Sequence, residues 1–340
     1  MKRILCVVLT VLMLCTAFVM TGCEAKTLKF GMGVTANVGA PTNADGETNG
    51  AGQVNTTVVA VLLDDAGKIV KIDLDTAQIK TAWTADGQLV ETTDLRTKYD
   101  KGVDYGMAAY GKKHDGSDGA ALEWNEQADA FMATVTGKTL DEVKALMGAD
   151  GYATGDLATA GCTINVVEFM TALEKAVATA VESDATEKDT LKVAMVSSTG
   201  SSKAASEEAE GLTQVDTTIA AVVVDEEGKV VIAKTDCTQG KTPFDATGVS
   251  TAVAGEFKSK LELGYDYNMK AFGHKHDGSE GQPLEWFEQS AEFDAALVGK
   301  TAAEFAAFAG DDGYAVGDIA TAGCTMNLVA MIEAAATAAK

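Results

Sequence analysis

Two hydrophobic periods alternate along this chain. From Thr56 to Leu63 β-branched and apolar residues run without a charge; Asp64-Asp65-Ala66-Gly67-Lys68 interrupts them with turn formers, and Ile69 to Leu74 resumes the strand pattern. That order predicts a β-hairpin. Thr81–Thr84 and Leu89–Thr92 flank Asp86-Gly87 and predict a second, shorter one. The period then changes. Trp124, Ala128, Phe131 and Val135 fall on one face of a helix over Trp124–Val135. Thr139-Leu140-Asp141-Glu142 reads as a capping box opening a short helix that stops by Gly148. Asn165-Val166-Val167-Glu168 reads as another, opening a last helix over about Val166–Val181. Strands first and helices after predict an α+β fold, an antiparallel sheet packed on helices.

The whole pattern is written twice. Gln53-Val54-Asn55-Thr56-Thr57 answers Gln214-Val215-Asp216-Thr217-Thr218, and His114-Asp115-Gly116-Ser117 answers His276-Asp277-Gly278-Ser279. Leu122-Glu123-Trp124 with Glu126-Gln127 answers Leu284-Glu285-Trp286 with Glu288-Gln289. Collinearity of this length predicts two tandem copies of one domain. The expected units are residues 53–181 and 212–340. Residues 24–52 are expected to be tether with a candidate first strand at Leu28–Val34. Residues 182–211 are expected to be linker with the equivalent candidate strand at Leu191–Val196.

Residues 1–23 have the form of a bacterial lipoprotein signal peptide: Lys2 and Arg3, an apolar run from Ile4 to Met20, then Thr21-Gly22 before Cys23. Cys23 is the expected lipidation site, placing the protein outside the cytoplasmic membrane with the membrane as partner through a lipid anchor. The chain carries 50 acidic and 27 basic residues, net −23, a balance that repels nucleic acid. Beyond Cys23 only Cys162, Cys237 and Cys324 remain. An odd number excludes a full disulfide framework, and free thiols are expected.

Candidate chemistry is sparse. His114 and His276 each precede Asp-Gly-Ser, a metal-compatible pattern that is also ordinary turn chemistry; His274 is the third histidine. Gly31-Met32-Gly33 lacks the third glycine of a dinucleotide fingerprint. No Ser/His/Asp arrangement stands out. Tyr105, Trp124 and Tyr152 recur as Tyr267, Trp286 and Tyr314, either as core or as platforms for a planar ligand.

The remaining signal is Asp156-Leu157-Ala158-Thr159-Ala160-Gly161-Cys162-Thr163 and its second copy, Asp318-Ile319-Ala320-Thr321-Ala322-Gly323-Cys324-Thr325. Each follows a Gly-Tyr-Ala-x-Gly loop and runs into an apolar helical segment, where helix N–H groups can receive an anion. The stretch resembles the signature Asp-x-x-Ser/Thr-Gly-Ala-Thr of the FMN-binding domain of bacterial surface flavoproteins. Flavin-carrying subunits of sodium-pumping quinone reductases and lipoproteins of extracellular electron transfer belong to the same group. The resemblance implies FMN as cofactor, esterified through its phosphate by a flavin transferase to Thr163 and Thr325. Asp156 and Asp318 would be the motif's acid, and Thr159 and Thr321 its first hydroxyl. It also implies a redox partner. This chain departs from the signature by one extra residue, so that strict spacing falls on Cys162 and Cys324, and by Ala-Gly in place of Gly-Ala. Residues 85–140 have no counterpart in that domain. The alternatives are a non-catalytic solute- or peptide-binding surface lipoprotein and a structural spacer. An electron carrier or binding protein is expected rather than a catalyst.

Overall fold

The structure, a computed structural model, describes residues 26–111, 122–272 and 284–340. It is a mixed α+β protein with antiparallel sheets. The first sheet is built from β1 (Lys29–Val38), β2 (Gly50–Leu63), β3 (Ile69–Trp83) and the short β4 (Leu89–Val90). Four helices follow that position the candidate residues: α1 (Lys98–Lys101), α2 (Trp124–Val135), α3 (Leu140–Lys144) and α4 (Gly155–Thr159). Then come α5 (Val167–Ala178) and β5 (Val181–Glu182), which returns to pair with β1. The second half forms a sheet from β6 (Thr190–Ser198), β7 (Gly211–Val224) and β8 (Val230–Phe244). After β9 (Gly255–Glu256) come α6 (Lys260–Leu263), α7 (Trp286–Leu297), α8 (Gly317–Thr321) and α9 (Val329–Ala338).

The unbroken apolar run of β2 has a physical cause. Val59, Val61 and Leu63 pack toward the helices with Trp124, Phe131 and Phe169, while Val58, Ala60 and Leu62 face the other sheet. In β7, Ala220, Val222 and Val224 face helices and Ile219, Ala221 and Val223 face β2's side. Strands covered on both faces lose the alternation of half-exposed ones. The layers are therefore helices, sheet, sheet, helices. Thr56 and Thr238 share a hydrogen bond of 2.8 Å across the sheet–sheet layer, as do Thr81 and Thr213. At one end Trp83 stacks on Phe244 with ring centroids 4.7 Å apart and donates from Nε1 to the Gly248 carbonyl.

Both expected hairpins form, with β2–β3 and β3–β4 in register across Asp64–Lys68 and Asp86–Gly87. Helix α2 spans Trp124–Val135, and Trp124 and Trp286 are buried at 2% and 4% exposure. The Thr139–Glu142 capping box is present. The segment 24–52, read as partly tether, holds all of β1, because its apolar residues Phe30, Met32 and Val34 seal the layer between the sheets. Residues 182–211 hold β6, anchored by Leu191 and Met195 in that same layer. The second half also adds a short strand to the first sheet: β9 pairs with β1 at Asn37–Glu256 and Val38–Gly255. The Gly31-x-Gly33 pair serves packing. A Cβ at either glycine would lie about 2 Å from a carbonyl oxygen of α5, at Ala176 or Ala172.

One expected cap is corrected. Asn165 does cap the last helix, accepting the Val167 N–H at 3.1 Å, but Glu168 does not reach back to complete a box. Its carboxylate turns to the sheet and accepts from Asn37 and from Thr57. In the second half Asn327 accepts the Val329 N–H at the same 3.1 Å although Ala330 replaces Glu168, so the two helix starts are capped alike.

Candidate functional site

The residues of the Asp-x-Ala-Thr-Ala-Gly-Cys-Thr stretch do not converge on one pocket. Asp156 and Asp318 are exposed in the first turns of α4 and α8. Thr159 and Thr321 are exposed, and their hydroxyls donate back to the Gly155 and Gly317 carbonyls at 3.0 and 3.1 Å. Although the stretch runs into the last helix, Thr163 is not at that helix's N-terminus. It lies four residues before α5, half-buried and turned toward α2. Its backbone N–H donates to Gln127 Oε1 at 2.8 Å and its hydroxyl to the same oxygen at 3.3 Å. Thr325 meets Gln289 in the same way, at 2.8 and 3.5 Å. The reason is Cys162 and Cys324: both are fully buried, and anchoring them pulls the next residue inward. Burial pushes both thiols up to about 11, which leaves them unreactive core residues. Cys237 is also buried and free. Cys23 and the three histidines lie outside the described residues. Among the described residues no group of three His, Cys, Asp or Glu could hold a metal, and no helix is long and apolar enough to cross a membrane.

The repeated aromatics do converge. The ammonium of Lys98, on α1, lies 5.1 Å from the Tyr105 ring centroid and 5.4 Å from that of Trp124. Lys260, on α6, lies 4.8 Å from Tyr267 and 5.2 Å from Trp286. Each short helix is pinned to its sheet by an aspartate. Asp75 accepts the N–H groups of Thr76 and Tyr99 at 2.6 and 3.2 Å, and Asp236 those of Cys237 and Leu261 at 2.7 and 3.1 Å. Burial raises these carboxyls to about 7 and about 6, against their hydrogen bonds to Thr97 and Ser259.

Lys98 opens on a pocket of about 210 Å³ whose walls include Thr57, Gln78, Trp124, Asn165 and Glu168. Among the described residues its ammonium has no carboxylate at ion-pair distance. Desolvation lowers it to about 8, with Glu168 and Asp75 pulling the other way. Gln78 accepts from the Tyr105 hydroxyl at 3.2 Å, and Thr57 shares 2.8 Å with Thr76. In the second half the carboxylate moves. Ala330 stands at the place of Glu168, while Asp216 stands at that of Asn55 and accepts from Gln214 and Gln239. Burial pulls Lys260 down, but the Cys237 thiol and the Tyr267 hydroxyl leave it raised on balance.

Sequence reasoning marked the aromatics but not Lys98, Lys260, Asp75 or Asp236. Their signal was present: each lysine follows a Thr or Ser cap, and each recurs at the repeat spacing. Gln127 and Gln289 were part of the repeat without an assigned role. The two sets of residues meet on one helix: Gln127, which holds Thr163, lies one turn from Trp124, which shelters Lys98.

No family model matches the chain, and no solved structure matches it. A chlorophenol reductase of Desulfitobacterium hafniense is 32% identical to it over 133 residues, 35% of this chain and 38% of that protein. The chain thus spans well under half the length of this relative.

Proposed function

We propose that the protein is a surface lipoprotein, anchored through Cys23, that carries flavin for electron transfer outside the cytoplasmic membrane in two tandem copies of one α+β domain. The observation that carries this reading is the connection through α2. Gln127 holds the motif threonine, and one turn away Trp124 walls the pocket of Lys98; Gln289 and Trp286 repeat the relationship. Thr163 and Thr325 are the proposed phosphate-bearing residues. Lys98, Gln78 and Asn165 would hold the polar edge of the ring system, with Trp124 packed against it. A pocket of about 210 Å³ suits part of a flavin: a dry cavity of ~150 Å³ accommodates a single benzene ring. When bound, flavin supplies reversible electron uptake. The Lys98 ammonium raises the electron affinity of any planar group beside it, because a sheltered positive charge acts through little water. A flavin transferase and an extracytoplasmic redox protein are the implied partners. The relative's name adds a redox context without naming a cofactor.

A second reading is favoured by the threonine hydroxyls, which already donate to Gln127 and Gln289. Here the same pockets bind a small planar polar solute without a covalent link. Titration of the unmodified protein with FMN, followed by flavin and tryptophan fluorescence, separates the readings from a mere packing role. Either predicts saturable quenching that Lys98→Met and Lys260→Met together abolish. Quenching that ignores both substitutions would remove the lysine pockets from the account.

A further inference from the structure

The two sheets meet along two flanks, and the flanks differ. On one, Asp73 of β3 accepts the backbone N–H of Val193 on β6 at 2.8 Å and closes the seam. The repeat spacing of 161 places Lys234 of β8 opposite Met32 of β1 on the other flank. A lysine cannot accept an N–H, so the seam stays open there, and a cavity of about 670 Å³ separates β1 from β8. That volume lies within the range of small-molecule sites.

A polar cluster reaches this cavity through Asp294, with Thr235 and Ser290 buried behind the wall. Thr235, Ser290 and Asp294 stand where the first half has Leu74, Ala128 and Met132. Thr235 joins Ser290 at 2.8 Å and donates to Asp294 Oδ1 at 2.7 Å. Asp294 lines the cavity at 7% exposure, and its Oδ2 has no hydrogen-bond partner among the described residues. A buried carboxylate oxygen left in this way is costly unless something meets it. Lys234, also on the wall, makes no ion pair among the described residues, while Lys175 and Glu262 neutralise each other at 2.6 Å. Met32 gives its carbonyl to Thr179 at 3.0 Å, off the sheet. Strand alternation turns its N–H the same way. Ile232, Leu261 and Phe287 form an apolar stretch of the wall, and Asp236 and Ser259 line it beside them.

We propose that this cavity binds a free amino acid with an apolar side chain, its ammonium on Asp294, its carboxylate toward Lys234 and the Met32 N–H, and its side chain against Ile232 and Phe287. The cavity shares no residue with the Lys98 pocket, though Asp236, Ser259 and Leu261 join its wall to the Lys260 site, and the proposal does not depend on the flavin reading. Calorimetric titration of the full mature protein with L-phenylalanine and L-leucine tests it. The expected result is saturable binding, weakened about tenfold or more by Asp294→Asn and by Lys234→Met, as loss of a charged hydrogen-bond partner entails. Phenethylamine and phenylpropionate, each lacking one charge, should bind correspondingly more weakly. Lys234→Met changes a partly exposed side chain, so it keeps the test meaningful if Asp294→Asn disturbs folding. Absence of saturable binding, indifference to both substitutions, or an amine binding as tightly as the amino acid would overturn the proposal.

Discussion

The backbone N–H of Thr163 and the side-chain oxygen of Gln127 lie 2.8 Å apart, and Thr325 and Gln289 repeat the distance. Both glutamines are fully buried, and each also donates from Nε2 to a loop carbonyl, Leu122 at 3.1 Å or Leu284 at 3.0 Å. Truncation strands a buried donor and a buried acceptor together. Gln127→Ala is therefore expected to cost about 2–4 kcal/mol in urea unfolding. A loss below about 0.5 kcal/mol would mean that water replaces the amide and that the loop is not held by it.

Trp83 and Phe244 staple the two sheets at one end, fully buried and stacked. Trp83→Ala removes the stack and the bond to Gly248, and is expected to destabilise by about 3–5 kcal/mol. If the halves unfold as one unit in the wild type, this variant should split the transition in calorimetry. A single unshifted transition would show that the staple contributes little.

Three buried carboxyls set the pH dependence of stability. Burial raises Asp75 and Asp294 to about 7 and Asp236 to about 6. Unfolded, each titrates near the ordinary ~4, so between about 4 and 7 the native state holds more protons. Stability is greatest at the acid end of that window and falls as pH rises through it, by an amount on the order of a few kcal/mol per group. Asp294→Asn should flatten part of this slope. Stability that rises from pH 4 to 7 in the wild type would contradict the burial assigned to these groups.

Lys98 carries the opposite sign. Its folded value of about 8 lies below the ordinary lysine value, so its contribution is lost as pH falls toward 8. At neutral pH the sheltered cation is a stability cost that Met does not incur. Lys98→Met is expected to stabilise the protein by about 1–2 kcal/mol in urea unfolding while removing ligand binding. Loss of stability would show that the contacts with Tyr105 and Trp124 outweigh desolvation.

Much of the scaffold was legible in the residues because local signals agreed with tertiary burial. Asp64–Lys68 is a turn between two apolar runs, and Trp124, Ala128, Phe131 and Val135 share a face in both pattern and structure. The last helix was foreseen with the wrong use of Glu168, since Asn37 and Thr57 reach it from strands distant in sequence. Sequence spacing cannot reveal that competition. The motif threonines were placed near a helix start by their neighbours, but the buried Cys162 draws Thr163 inward, a consequence of packing depth rather than of order. Lys98 was overlooked because an isolated lysine looks like a surface residue until two aromatic rings from separate segments close over it. The open flank at Lys234 also depended on how the sheets lie against each other.

The flavin account is tested most directly by intact-mass spectrometry of the mature protein co-expressed with an active flavin transferase. The account predicts two FMN increments in the wild type, one in Thr163→Ala and one in Thr325→Ala, and none in the double variant, with folding retained in each. A wild-type protein that carries no flavin mass while the same transferase modifies a control substrate would contradict it.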